Sequence, residues 1–128
     1  IGAEEALDTI EEYVEGGDVA LRKVTLRAIG AIGQERSTQV VADQLVDDDA
    51  EVRSTAARAL GLLGDTRAID PLADVLAEDD ADEVRASAAW ALNAIGTERA
   101  REAAADYADD RAYLVQVEAE KAAESTSA

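Results

Sequence analysis

Apolar residues recur along the chain at the spacing of amphipathic helices. Residues 69–76 carry an apolar stripe with a period of about 3.6 residues, and Pro71 falls in the first turn, where its missing N–H costs little. An acidic turn at 78–82 follows, and a second apolar stripe ends at Gly96, a residue typical of helix C-caps. The pattern predicts two helices joined by a turn whose carboxylates cap the second helix. The expected buried residues are Ile69, Leu72, Val75, Leu76, Val84, Ala88, Ala91, Leu92 and Ile95.

This two-helix pattern repeats along the chain. Residues 51–64 align with residues 83–96, thirty-two positions later, and with residues 20–33, thirty-one positions earlier. The intervening segments match too, since residues 68–76 align with residues 6–14, and a fainter copy of the second helix runs from 115 to 123. One helical hairpin cannot bury its apolar stripe alone, so the units must stack.

The repeat predicts an all-α fold, an α-solenoid of about four helix-turn-helix units within a single domain over residues 1–128. The units run at about 3–33, 34–64, 65–96 and 97–128. The last unit is expected to be a degenerate cap, because Gln116 stands at the position of the repeated arginine and Arg101 at the position of Ile69. The opening Ile1 and Gly2 match the last two residues of a unit, which suggests that an earlier repeat precedes them.

The segment from Glu51 to Leu72 reads Glu-Val-Arg-x-x-Ala-Ala-x-Ala-Leu-Gly, then x-Leu-Gly-Asp-x-Arg-Ala-Ile-x-Pro-Leu. This pattern resembles the HEAT repeat, and more narrowly the short subclass called phycobilisome-lyase HEAT-like repeats. The resemblance covers essentially the whole chain and is strongest in the two middle units. It implies an α-solenoid whose second helices line a concave face.

One arginine recurs near the start of each of the first three second helices. The resemblance implies that these residues bond acids and carbonyl groups in the loops of a neighbouring unit. An arginine beside an apolar seam also needs partners on physical grounds, and the acidic turns offer carboxylates. We therefore expect a structural role for this arginine ladder, which consists of Arg22, Arg53 and Arg85.

The composition removes most catalytic chemistry. The chain has no Cys and no His, which excludes thiolate nucleophiles, imidazole acid–base catalysis and metal sites built on either residue. The acidic runs at 47–49 and 79–82 lack the spaced ligands and the distal Glu of a calcium loop. No cofactor, no metal and no catalytic residue are therefore predicted, and the chain is not expected to be an enzyme.

The charge of the chain indicates the environment in which it works and excludes one class of partner. The 12 Lys and Arg residues face 29 Asp and Glu residues, which gives a net charge of −17 that repels phosphate backbones and makes nucleic acid an unsuitable partner. Ten of the cations are Arg, and Asp residues cluster in runs, as in cytoplasmic proteins of organisms that accumulate salt. No apolar run is long enough to span a membrane. We expect an acidic, halophilic, cytoplasmic protein, with an ordinary acidic helical protein as the alternative.

One stripe of the second helices departs from this acidic background. On a helical wheel the buried side of the first such helix centres on Leu21, Thr25, Ala28, Ile29 and Ile32. The positions of Lys23, Arg27 and Gly30 lie opposite, and the first two carry cations and the single Trp through the repeat. This cationic stripe, predicted to bind a partner, consists of Lys23, Arg27, Arg58, Trp90 and Lys121. Small residues beside it are expected to leave room for a partner backbone: Ser54, Gly61, Ala86 and Ala94.

The function that follows is a non-catalytic protein–protein interaction scaffold that binds an acidic or amphipathic peptide or helix in its groove. Arg and Trp are the residues that most often anchor protein interfaces. The partner is another protein of unknown identity, and the chain is expected to be a monomer or a weak homo-oligomer. Two alternatives stay open: a bilin-lyase-like enzyme or enzyme subunit, and a repeat spacer within a longer protein. A third is that Arg27 and Arg58 merely pair with nearby acids while Trp90 fills space.

Overall fold

The computed structural model describes residues 3–127 of the chain, and the side chains of residues 5–125 within them. Eight α-helices follow one another over the described residues, with no strand between them. Ile1 and Gly2, which suggested an earlier repeat, lie outside this range. The helices are α1 Ala3–Gly16, α2 Val19–Ile32, α3 Thr38–Ala42, α4 Ala50–Leu63, α5 Ile69–Glu78, α6 Asp82–Ile95, α7 Glu98–Ala105 and α8 Tyr113–Ser127.

Consecutive helices pack as pairs, α1 with α2, α3 with α4, α5 with α6 and α7 with α8. The second helix of each pair then packs against the second helix of the next, so that α2, α4, α6 and α8 form one layer. Each pair thus contacts chiefly its neighbours, which is the architecture of an α-solenoid. Short 3₁₀ turns at Glu35–Ser37, Asp43–Val46 and Thr66–Ala68 flank α3 and lead into α5.

The ends of the helices follow from local chemistry. Gly33, Gly64 and Gly96 end α2, α4 and α6 in the left-handed conformation, with φ of 75°, 69° and 74°, which favours Gly because it lacks a Cβ. At the other end, Asp18 accepts a hydrogen bond from the backbone N–H of Leu21 and so caps α2.

The expected carboxylate cap is present on α4 but not on α6. Asp49 accepts from the backbone N–H groups of Glu51 and Val52. Ala81 occupies the N-cap of α6 and offers no side-chain hydrogen bond, so that part of the expectation is wrong. Asp79 instead accepts from the N–H of Ala81 at 2.9 Å, and its carboxylate thereby stabilises the turn rather than the helix end.

The core runs along the seam between the two helix layers. Seven of its leucine and isoleucine side chains are fully buried: Leu7, Leu26, Ile29, Leu60, Leu72, Leu76 and Leu92. Alanines fill the space between the second helices, where Ala56, Ala57, Ala88 and Ala91 are inaccessible to solvent. This Ala-rich seam lets neighbouring helix backbones approach closely, as dense packing requires.

The buried side of α2 differs from the helical-wheel prediction. Thr25 and Ile29 are buried as expected, but Leu21 and Ile32 are 41% and 36% exposed. Gly30, which was placed on the opposite side, is buried. The buried arc of α2 is therefore rotated toward the next second helix, because α2 packs against α4 as well as against α1.

Candidate protein-binding surface

Close packing of the second helices sets the geometry of the predicted surface. A Cβ placed on Gly30 would lie 3.1 Å from the Cα of Ala59, and one placed on Gly61 would lie 2.9 Å from the Cα of Ala91. Glycine is therefore needed at both positions for α2, α4 and α6 to approach this closely. Because these helices pack closely, residues at the same position of the repeat lie next to one another on α2, α4 and α6.

Arg58 and Trp90 form the centre of the surface. The Cζ of the Arg58 guanidinium lies 5.0 Å from the centroid of the Trp90 ring, within the range of a cation–π interaction. The Trp90 ring is half-buried, and its Cζ3 would lie 2.8 Å from a Cβ on Gly61. The ring therefore packs against Arg58 of α4, in the space that Gly61 leaves open because it has no side chain. Trp90 does fill space, as one alternative proposed, and it also carries a cation.

Arg27 and Arg58 differ from the other basic residues in their electrostatic environment. No carboxylate among the described side chains pairs with either of them, although the chain carries 29 acidic residues. Apart from Arg101, which donates to the carbonyl of Gly96, every other Lys and Arg pairs with Asp or Glu within that range. The alternative in which Arg27 and Arg58 pair with nearby acids is therefore wrong for this part of the chain.

A groove of about 250 Å³ connects these two arginines. Six residues of α2 and α4 line it: Arg27, Ser54, Thr55, Arg58, Ala59 and Leu62. Leu62 is 58% exposed, so it adds an apolar contact beside the two cations. Sequence reasoning missed Leu62, although the signal was present: a large apolar residue stands where the repeat has Ala31 and Ala94.

The outer members of the cationic stripe have carboxylate partners. Lys23 forms an ion pair with Glu51, and both line a groove of about 260 Å³ together with Glu83 and with Arg27, which makes no ion pair there. Lys121 lies on α8 and pairs with Glu118 of the same helix at 3.1 Å. Their charges are thus locally balanced, and the unpaired positive charge of the stripe is confined to Arg27 and Arg58.

The room expected beside the stripe is mostly taken by neighbouring helices. Gly61 contacts Trp90 and α6, Ala86 is only 8% exposed, and Ser54 shares a 2.6 Å hydrogen bond with Ser87. Ala94 alone among the four expected residues is exposed. The expectation that these small residues leave space for a partner backbone is wrong for Gly61 and Ala86, because their size serves helix–helix packing, whereas Ser54 also lines the groove between Arg27 and Arg58.

The arginine ladder lies at the turns of the solenoid. Arg53 donates from Nε and Nη2 to the Asp79 carboxylate at 2.8 and 3.1 Å, and from Nη1 to the carbonyls of Asp47 and Asp48. Arg22 makes a longer contact of 3.2 Å with Asp47, and its Nε is buried without a partner. Hydrogen bonding to Asp79 raises the pKa of Arg53.

Arg85 is the most buried member of the ladder. It donates a fork of two 3.0 Å hydrogen bonds to Asp110, one of 2.7 Å to Asp82, and further bonds to the carbonyls of Asp79 and Asp80. Hydrogen bonding to Asp110 raises the pKa of Arg85, and the Arg85 guanidinium lowers the pKa of the Asp110 carboxyl. These contacts join the turn before α6 to the turn before α8.

Two further grooves lie at the turns of the solenoid, and the smaller one, of about 310 Å³, includes Arg85, Tyr107 and Asp110 in its lining. The larger groove, of about 460 Å³, lies between the 3₁₀ turn Asp43–Val46 and α5, lined by apolar Leu45, Val46 and Val75, by Arg53 and by the acidic residues at 47, 48, 74 and 78–80. No group of three or more acidic side chains within residues 5–125 is arranged to hold a metal ion. None of the helices described is both long and apolar enough to cross a membrane.

Comparison with protein families decides where the chain belongs. The family model for HEAT repeats matches residues 42–124, which is more than half of the sequence. The chain belongs to the HEAT-repeat family. The HEAT-like repeat read from the sequence is thereby confirmed, as is the all-α solenoid. None of the curated protein sequences compared with the chain matches it.

Two solved structures are similar to the chain. Human deoxyhypusine hydroxylase in complex with glycerol shares 26% sequence identity, with a TM-score of 0.82 over 98% of this chain and 45% of that one. The complex of CpcE and CpcF of phycocyanin lyase from Nostoc sp. PCC7120 shares 23% identity, with a TM-score of 0.78 over 96% of this chain and 53% of that one. The chain spans about half the length of either, so the likeness establishes the helical repeat scaffold and not an activity.

Proposed function

We propose that this HEAT-repeat chain is a non-catalytic scaffold that binds an acidic, amphipathic peptide or helix across α2 and α4. The observation that carries the proposal is that Arg27 and Arg58 form no ion pair with any carboxylate among the described side chains, in a chain with a net charge of −17. In such a chain almost every cation finds an acid nearby. Two adjacent exceptions on one face leave positive charge available to an external carboxylate.

The neighbours of these arginines define the apolar half of the ligand. Leu62 is 58% exposed at the side of the groove, and the half-buried ring of Trp90 lies under Arg58. A partner helix with acidic residues on one edge and an apolar residue at the next turn would meet both features. Because Trp90 and Arg58 already pack on each other, little side-chain entropy is lost when they bind.

The net charge of the chain sets the conditions for binding. The overall negative field repels an acidic partner at a distance, whereas at molar salt the screening length falls to about 3 Å and only contacting charges matter. Binding of an acidic ligand should therefore be stronger in molar KCl than in dilute buffer, provided that close Arg–carboxylate contacts form. This fits the salt-adapted cytoplasm that the composition suggests.

The experiment measures fluorescence anisotropy of labelled peptides about four helical turns long. The acidic probe has Leu and Glu at helical spacing, and its counterpart has Lys in place of Glu. We expect the acidic probe to bind in molar KCl and the Lys probe not to bind. R27Q/R58Q should weaken binding by about tenfold or more, which corresponds to about 1.4 kcal/mol.

The matched control is R99Q/R111Q, which removes the same charge from two arginines whose side chains are 62% and 70% exposed elsewhere on the chain. It should bind the acidic probe as the native chain does. Equal weakening by both double variants would show a non-specific charge effect and overturn the proposal. The proposal would also be overturned if R27Q/R58Q bound the acidic probe as tightly as the native chain does, or if the native chain did not bind this probe up to millimolar peptide.

A further inference from the structure

Arg27 makes no ion pair although it shares a groove with two carboxylates. Glu51 of α4 and Glu83 of α6 line the groove of about 260 Å³ together with Lys23 and Arg27 of α2. Within residues 5–125, neither of these carboxylates nor any other pairs with Arg27. Some feature of the structure therefore keeps this guanidinium free in a chain with 29 acidic residues.

Glu51 is the carboxylate best placed to pair with Arg27. It lies on α4, which packs directly against α2, whereas Glu83 lies on α6, which packs against α4. Lys23 and Arg27 are four residues apart and so lie one turn apart on the same face of α2. Both cations border the same groove as Glu51, so this carboxylate has two candidate partners.

Lys23 is the cation that pairs with this carboxylate. Its Nζ donates a hydrogen bond to Glu51 and forms an ion pair with it. The Lys23 side chain is 22% exposed, so most of its stem packs on the protein and its ammonium group is held beside Glu51. The charge of Glu51 is thereby balanced by Lys23, and Arg27 is left without a partner.

The next joint keeps its arginine free in another way. Ser54 stands at the position of the lysine, and Glu83 of α6 forms no ion pair with any side chain that the structure describes. Arg58 packs on the Trp90 ring, 5.0 Å from its centroid, and does not pair with Glu83. The residue equivalent to Trp90 in the first joint is Arg58, which is not aromatic, so Arg27 has no such ring to pack on.

We infer that Lys23 is a positioning residue of the binding surface. By pairing with Glu51 it prevents this carboxylate from pairing with Arg27, and it so keeps Arg27 available to the carboxylate of a ligand. The inference rests on the proposed function, because it concerns the same arginine. It assigns Lys23 a role different from the one expected from the sequence, since Lys23 acts on a carboxylate of its own chain and not on the ligand.

The test measures binding of the acidic probe in molar KCl to variants of the full chain. K23Q should weaken binding by about fivefold, which corresponds to about 1 kcal/mol, because an exposed ion pair such as the one that Arg27 would form with Glu51 reaches this size. K23R should restore binding, because arginine also pairs with Glu51.

Two double variants separate competition for Arg27 from a direct contact with the ligand. K23Q/E51Q should bind the probe as tightly as the native chain, because the competing carboxylate is gone. K23Q/E83Q is the matched control, since it removes the same charge from the same groove at the equivalent position of α6, and it should stay as weak as K23Q. R99Q removes one charge from an exposed ion pair outside this groove and should bind as the native chain does.

Three results would overturn the inference. The first is a K23Q chain that binds the probe as tightly as the native chain. The second is a K23Q/E51Q chain as weak as K23Q, which would mean that Lys23 contacts the ligand directly. The third is weakening by R99Q equal to that by K23Q, or equal rescue by E51Q and E83Q, either of which would show an effect of net charge alone.

A measurement without ligand separates this inference from the proposed function. Urea unfolding of R27Q, E51Q and R27Q/E51Q gives the coupling between the two residues, first in the native chain and then in K23Q. We expect additive effects in the native chain and, in K23Q, a coupling of about two- to fivefold in the equilibrium constant for unfolding. Additive effects in K23Q would overturn the inference even if the probe binds. Coupling in K23Q without any binding of the probe would support the competition for Glu51 and refute the proposed function alone.

Discussion

Replacing Arg85 by Met should destabilise the chain far more than the same change at Arg22. The side chains of Arg85 and Asp110 are 6% and 9% exposed and share two 3.0 Å hydrogen bonds. Methionine keeps the apolar stem but removes the charge, which leaves the Asp110 carboxylate nearly buried and unpaired. Removing one partner of a buried ion pair lowers the free energy of unfolding by about 3–5 kcal/mol. Asp110 retains a hydrogen bond from the N–H of Ala112, so we expect R85M to lower it by about 3 kcal/mol.

Arg22 provides the comparison within the same ladder. Its side chain and that of Asp47 are 19% and 15% exposed, their contact is 3.2 Å long, and the buried Nε makes no hydrogen bond. R22M removes one weak contact and also relieves an unsatisfied donor. We expect R22M to lower the free energy of unfolding by about 1 kcal/mol or less.

The assay is urea unfolding in constant salt, followed by helical circular dichroism and by the fluorescence of Trp90. A double-mutant cycle with D110N isolates the pairwise energy, because asparagine can keep the bond from Ala112. We expect R85M/D110N to be more stable than the sum of the single changes predicts, by about 1.5–3 kcal/mol. If R85M costs no more than R22M, or if the cycle is additive, the ladder carries little stability and the reasoning from burial fails.

Three further predictions follow from packing, from titration and from charge. G61A should lower the free energy of unfolding, measured with urea, by about 1–3 kcal/mol, because its Cβ would lie 2.8 Å from Trp90. G16A should be neutral or stabilising, because a Cβ there would have no atom within 4 Å. Equal effects of the two changes would contradict the close approach of α4 and α6. The hydrogen bond from Arg67 lowers the pKa of Asp65 from 3.8 to about 2, so this group stabilises the folded state above about pH 4, and the stabilisation is lost as the pH falls through 2. In D65N the free energy of unfolding should therefore change less with pH over this range, and an unchanged pH profile would refute the assignment. Helical circular dichroism should fall in dilute buffer and recover in molar KCl, because screening relieves the repulsion within a chain of charge −17; equal signals in both would count against adaptation to salt.

The repeat and its helix ends could be predicted because they depend on local features. Gly33, Gly64 and Gly96 adopt left-handed φ at the ends of second helices, where a residue without a Cβ is favoured. The 3.6-residue spacing of apolar residues identified the two-helix unit in the same way. These signals reside within a few consecutive residues, so no knowledge of the neighbouring helices was needed.

The rotation of each helix and the pairing of its charges could not be predicted locally. Leu21 and Ile32 were assigned to the core because the wheel describes one helix, whereas the burial of Gly30 depends on α4. The lack of an ion pair at Arg27 and Arg58, over the side chains that the structure describes, likewise depends on where neighbouring turns end. Glycine and small residues were mistaken for open space, since sequence alone does not show which side of a small residue is occupied.

The unequal contacts of the arginine ladder have a consequence for ligand binding. In a repeat chain each joint between neighbouring pairs contributes its own term to the folding free energy. Within the arginine ladder, the joint between the first two pairs has the single long Arg22–Asp47 contact, whereas the next two joints have forked Arg–carboxylate bonds. Arg27 and Arg58 lie on either side of this first joint, whose ladder contact is not forked. A ligand that engages both would therefore link the two pairs, and its binding energy would appear as resistance of α1 and α2 to local unfolding.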